Sequence, residues 1–185
     1  MFWQKLISYF FIIFGRKTLC LMESRKKFKI VIIGDGNIGK TAWIKKLLEK
    51  AAGKNTEKYV ATIYVNITKM DFTYNDEKVA VSLFDTAGQD KFAGLRAGYY
   101  LDADAVLFFA DLSNPSSFKN LETKWYNEIK ENGEFNIPVL VVGTHSDKEI
   151  SDFKYETGGV PLVKIDIESK KNLIIPLETI LKHLV

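Results

Sequence analysis

One stretch of this chain has the residue types and spacing to hold phosphate. Gly34-Asp35-Gly36-Asn37-Ile38-Gly39-Lys40-Thr41 fits G-x-x-x-x-G-K-[ST] in full, and it stands between an apolar run and a helical-period segment, as the motif's mechanism requires. Glycines let the backbone curl until successive N–H groups point inward at an anion, and the helix N-terminus that follows adds partial positive charge. Asp35, Gly36, Asn37, Ile38 and Gly39 would line that curl, with Ala42 in the first turn of the helix. Lys40 would bring a mobile cation to the β- and γ-phosphates, and the Thr41 hydroxyl would ligate Mg²⁺. The competing reading is a glycine-rich turn that merely joins strand to helix; strand, loop and helix in register weigh against it. The motif says nucleoside triphosphate, and neither which base nor which reaction.

Two further residues extend that chemistry. Asp85 follows the apolar run Val79 to Phe84, and a carboxylate at a strand end facing the loop can hold the metal's water shell. Taken alone, Asp85 reads equally well as a turn cap. Gln89, four residues on, is neutral, so its amide can donate and accept at once and orient an attacking water.

These residues need a frame, and the apolar pattern supplies one. Phe28 to Ile33 is a continuous apolar run closed by Gly34, the mark of a buried strand. Thr41 to Ala51 places Ile44, Leu47 and Leu48 on one helical face. Thr62 to Tyr74 alternates and meets Val79 to Phe84 across Asn75-Asp76, which predicts a hairpin. Ala105 to Ala110 and Val139 to Val142 read as central parallel strands, with a helix from about Ser117 to Glu131 between them whose apolar face is Leu121, Trp125, Tyr126 and Ile129. A last strand is expected over Val160 to Ile167, and a helix from Pro176 to the end, where the proline's missing N–H costs nothing. Alternation of this kind predicts an α/β fold. The expected form is a P-loop NTPase three-layer sandwich, with a six-stranded, mostly parallel sheet, one antiparallel strand and helices on both faces.

The run from Lys27 through the phosphate loop, the segment Tyr59-Val60-Ala61-Thr62, and DTAGQDKFAGLRAGYY (Asp85 to Tyr100) together resemble a small GTPase of the Ras superfamily, closest to the Ran group. The resemblance spans essentially Lys26 to Val185 and is strongest up to about Asp111. It implies that the Thr62 hydroxyl reaches Mg²⁺ while its N–H senses the γ-phosphate; without the resemblance Thr62 is an ordinary strand threonine. It implies also that Gly88 contacts the γ-phosphate through its backbone and that Tyr59 lies over the phosphates. Contacts made only with GTP bound let hydrolysis release both loops, which is the signal. Arg96 reads as a solvated or partner-facing residue rather than an arginine finger, so hydrolysis is expected to be slow and to need an activating protein.

The guanine-reading elements are altered. Where the family carries N-K-x-D, this chain has Thr144-His145-Ser146-Asp147. Asp147 retains the two oxygens that accept from guanine's ring N–H and exocyclic amine, donors that adenine lacks. Thr144 stands for asparagine, and His145 for a lysine whose stem covers the base; its imidazole stacks there or is a surface histidine. Glu168-Ser169-Lys170 resembles the family's S-A-K element, so Ser169 would offer its N–H to the guanine oxygen and Lys170 would pack over the base. No aromatic lies near Asn55, where the family flanks the base. Weaker guanine affinity with retained selectivity is the expectation.

Composition bounds the rest. The 185 residues are 46% hydrophobic and 26% charged, which suits one globular domain and excludes disorder as a whole. The formal charge of +3 comes from Lys5, Arg16 and Lys17, so the remainder is neutral and nothing favours nucleic acid. One cysteine, Cys20, excludes an internal disulfide. Residues 1–21 form an apolar and basic extension, read as disordered or outside the working protein, against an interfacial anchor. The nine-residue run Leu6 to Phe14 is short of the ~20 residues that span a bilayer. Residues 22–185 would then be the G domain. The resemblance implies a monomer with an exchange factor and an activating protein. Importin- or exportin-type receptors and a nuclear transport factor are expected partners, in cytoplasm and nucleus, or in a host nucleus if the chain is viral. Where the Ran group runs on into an acidic tail, this chain stops at Val185. A non-hydrolysing decoy for transport factors is the main competing reading, and an ATP-dependent P-loop kinase a weaker third.

Overall fold

In the computed structural model the apolar runs become β1 (Lys27–Ile33), β2 (Val65–Tyr74), β3 (Glu77–Thr86), β4 (Ala105–Asp111), β5 (Val139–Thr144) and β6 (Leu162–Lys164). The structure describes residues 25–52, 65–88, 98–132, 137–150, 154, 155 and 157–185. The extension expected over residues 1–21 lies outside them, as do Tyr59, Thr62, Gln89 and Arg96. The helices are α1 (Lys40–Ala52), α2 (Pro115–Asn120), a π turn (Leu121–Tyr126), α3 (Asn127–Asn132) and α4 (Ile175–Leu181).

The six strands form one sheet in the order β2-β3-β1-β4-β5-β6. β1 pairs in parallel with β3 and β4, β4 with β5, and β5 with β6. Only β2 is antiparallel, folded onto β3 from Val65↔Thr86 to Tyr74↔Glu77. The hairpin turn is Asn75-Asp76 at φ 48° and 64°, the left-handed pair that a two-residue loop demands and that Asn and Asp tolerate.

Side chains alternate across the sheet, so each face has its own core. One holds Ile30, Ile32, Leu107, Phe109 and Val142 with α1's Trp43, Ile44 and Leu47 and α4's Leu177, Ile180 and Leu181. The other holds Val31, Ile33, Val106, Phe108 and Val141 with Phe118, Leu121, Trp125 and Ile129 of the long rod. That is the expected three-layer α/β sandwich. Trp43 is fully buried, and its indole N–H donates to the Leu173 carbonyl at 2.8 Å.

Three elements depart further from the sequence pattern than the rest. The rod between β4 and β5 begins at Pro115, capped by the Asn114 side chain on the Ser116 N–H. Its buried stripe runs Phe118, Leu121, Trp125, Ile129, in steps of three and four, so Tyr126 falls beside it and is 46% exposed rather than part of the apolar face. The expected strand Val160 to Ile167 shrinks to Leu162–Lys164. Pro161 has no N–H to give the ladder, and beyond Ile165 the backbone turns under the Asp166 side chain. The last helix starts at Ile175 and gives way after Leu181 to turns, with Leu184 N–H on the Leu181 carbonyl at 3.0 Å.

Candidate functional site

The described candidate residues sit at the carboxyl ends of the parallel strands, in the loops there or at the strand and helix ends that flank them, the crevice where open α/β sheets bind ligands. The loop after β1 is fixed by its glycines and one cation. At Gly34, φ is 143° and an added Cβ would stand 2.3 Å from the Phe109 carbonyl oxygen, so no other residue fits. Asn37 takes φ 62°, a left-handed conformation asparagine tolerates. Lys40 is buried, and its Nζ donates to the carbonyls of Gly34 at 2.8 Å and Asp35 at 2.6 Å. α1 starts at Lys40 with no acid of its own in its first turn, so no side chain of that turn offsets the partial positive charge of its amides. A curled loop, an internal ammonium and a helix start together can hold an anion of several charges.

Asp85 and Gly88 come to this loop from β3. The Thr41 hydroxyl donates to Asp85 Oδ2 at 2.5 Å, with Asp85 fully buried. The Thr86 hydroxyl on the Ile32 carbonyl, at 2.8 Å, ties the end of β3 to β1. A hydroxyl beside a buried carboxylate is a hard-oxygen pair whose chemistry suits Mg²⁺. Among the described residues no group of three or more His, Cys, Asp or Glu side chains is arranged for a metal. The backbone at Gly88 presses on the loop: a Cβ there would lie 2.4 Å from the Asp35 carbonyl carbon and 2.4 Å from the Gly36 nitrogen. Only glycine permits that approach.

The loops after β5 and β6 make the other half. Thr144 is fully buried, and its hydroxyl lies 2.8 Å from the Ile38 carbonyl and 3.2 Å from that of Ala110. The side chain therefore tethers the phosphate loop to β5. Thr144→Val keeps the shape and removes that donor; melting followed by circular dichroism should show a loss of about 1–3 kcal/mol, the usual cost of an unpaired buried group. His145 takes φ 54°, and its Nδ1 lies 3.1 Å from Asp111 Oδ1 and 3.3 Å from the Thr144 hydroxyl. Burial would raise the Asp111 pKa, but the Ser113 hydroxyl and N–H together with His145 outweigh it and hold the carboxyl below its ordinary value. Asp147 stands exposed on the 3-10 turn Ser146–Lys148, and the Ser146 N–H reaches the Ile165 carbonyl at 3.2 Å, joining the two loops.

Asp166 is a residue that sequence reasoning missed. It accepts from the Glu168 N–H at 3.0 Å, from the Ser169 N–H at 3.3 Å and from the Ser169 hydroxyl. The hydroxyl is the main reason its pKa is lowered, with the two N–H groups adding to it against a burial penalty. The Ser169 N–H is thus partly engaged, and Lys170 is exposed at φ 59°. The D-x-x-S spacing was the available signal, since such side chains bond the backbone two and three residues on.

A family model described as the Ras family matches residues 29–170. The GTP-binding nuclear protein Ran of Giardia intestinalis is 31% identical to this chain in an alignment covering 88% of the chain and 80% of that protein. No helix among the described residues is long and apolar enough to cross a membrane.

Proposed function

This chain belongs to the Ras family as a small GTPase close to Ran, and we propose that it is a Ran-like switch that binds GTP with Mg²⁺, hydrolyses it slowly and changes partners as it does so. The observation that carries the reading is the phosphate loop itself: Lys40 inside its curl, and the Thr41–Asp85 pair at its edge.

Each residue has a task in that reading. The amides from Asp35 to Ala42 take the phosphate oxygens, and Lys40 neutralises charge that builds on the β–γ bridge as the bond breaks. Thr41, Thr62 and, through water, Asp85 would hold Mg²⁺, which when bound would neutralise charge on the phosphates. The Gly88 N–H takes the γ-phosphate and Tyr59 covers it. Gln89 orients a water in line with the γ-phosphorus; the P–O bond to the β-phosphate breaks, and GDP and phosphate leave without a covalent intermediate. Asp147 selects guanine, with Thr144, His145, Ser169 and Lys170 around it. The working unit is the G domain, residues 22–185, acting as a monomer. Its partners are an exchange factor, an activating protein and, through the loops around Thr62 and Gln89, importin- or exportin-type receptors and a nuclear transport factor, in cytoplasm and nucleus.

Single-turnover hydrolysis of γ-labelled GTP tests this. The chain alone should turn over slowly, and a Ran-type activating protein should accelerate it by about 10³–10⁵. A second reading, a receptor decoy without useful turnover, draws on the engaged Ser169 N–H and the His145–Asp111 contact. No acceleration, with tight receptor binding, would favour it.

A further inference from the structure

The phosphate loop carries an acid, Asp35, in the place where a polyanion is to be held, and each of its carboxylate oxygens accepts a hydrogen bond from the same neighbouring element. The Trp125 indole N–H donates to Oδ1 at 2.8 Å, and the Asn120 side-chain amide donates to Oδ2 at 2.8 Å. Both donors belong to the rod packed on the other face of the sheet from α1, and they are five residues apart in sequence. In an α-helix, residues five apart point about 140° away from each other, which would prevent both from reaching one carboxylate. A π turn bonds i to i+5 and stacks such residues on one side, and π turns recur at functional sites. Here the π turn Leu121–Tyr126 begins just after Asn120 and contains Trp125. The same Asp35 gives its carbonyl to Lys40 at 2.6 Å, and Gly88 lies against its backbone.

We propose that the π turn presents Asn120 and Trp125 as positioning residues that turn the Asp35 carboxylate away from Lys40 and from the phosphates, so that the rod sets the phosphate loop. The proposal rests on the reading that this loop takes a guanine nucleotide. Without the two donors the carboxylate either captures the Lys40 ammonium or faces the phosphates, and both weaken nucleotide binding.

The test uses the full chain loaded with fluorescent GDP and Mg²⁺, with release followed by chase. Trp125→Phe keeps the ring and removes the N–H. Asn120→Ala changes a half-buried residue and serves if the tryptophan variant fails to fold. Each should release GDP roughly tenfold faster, the weight of one hydrogen bond to a charged group. In an Asp35→Ala background neither change should add anything, since the group they act on is gone. A structural role for the buried tryptophan would leave its effect intact there. The indole N–H resonance of Trp125, identified by its loss in Trp125→Phe, should also shift when GDP is replaced by a non-hydrolysable GTP analogue. That of Trp43, held by the Leu173 carbonyl, should not. Unchanged release in both single variants, or equal effects with and without Asp35, overturns the proposal while leaving the nucleotide site standing. A wild-type chain that binds no guanine nucleotide overturns both.

Discussion

Lys40→Ala should lower the affinity for GTP by about a hundredfold to ten-thousandfold, because in the proposed reading the ammonium would make charge-assisted contacts to two phosphate groups, and each such bond is worth about 1.5–3 kcal/mol. The fold should survive. Two of the bonds that place Lys40 go to local groups, the carbonyls of Gly34 and Asp35, and the core beneath the loop is built from Ile38, Trp43 and Ile44. Titration with fluorescent GDP and GTP reads the loss, and an unchanged melting midpoint of the nucleotide-free chain separates it from unfolding. Thr41→Val is the companion variant. It removes the hydroxyl beside Asp85, so the Mg²⁺ dependence of binding should flatten while binding without metal stays near that of the wild type. If GTP binds Lys40→Ala as before, the phosphate loop is only a turn between β1 and α1.

The parts of this molecule legible in its sequence are those set by local pattern. Apolar runs closed by glycine gave β1 and its loop, and Asn75-Asp76 between alternating segments gave the only antiparallel pair among the described strands. A complete phosphate motif named its own residues, since each position has a separate chemical reason. What the pattern hid depends on contacts across the fold. Asp35 meets Asn120 and Trp125, 85 and 90 residues later, and no spacing rule connects them. The π turn is invisible for a related reason: its buried stripe keeps ordinary helical steps while its hydrogen bonds widen. Thr144 stands in the base-reading element, and nothing in the spacing shows that its buried hydroxyl lies on the Ile38 and Ala110 carbonyls. Asp166 is hard to read from the pattern because the family element is the serine and lysine after it, while the carboxylate that organises the loop stands first.

Base choice gives the other large effect. Asp147 is exposed on its short turn, presenting two acceptors of one negative charge. Guanine offers two donors on one edge, its ring N–H and its exocyclic amine. Adenine offers no N–H at the ring position, so a carboxylate there has nothing to accept and loses solvation for no return. Asp147→Asn replaces one acceptor with an N–H donor that would face guanine's amine. Xanthine has a carbonyl at that position and meets the new donor instead. The variant should therefore lose GTP affinity on the order of a thousandfold and prefer xanthosine triphosphate. That figure lies below the 10⁴–10⁵ rejection reached by enclosed hydrogen-bonding sites, because water can reach an exposed turn and soften the penalty. Lys40 and the Thr41–Asp85 pair are untouched, so phosphate and Mg²⁺ dependence should carry over to the new nucleotide unchanged. Competition of GTP, ATP and xanthosine triphosphate against fluorescent GDP, for wild type and variant, gives the answer. A wild-type chain that binds ATP as tightly as GTP, and a variant whose preference does not move, would place base recognition elsewhere than on Asp147.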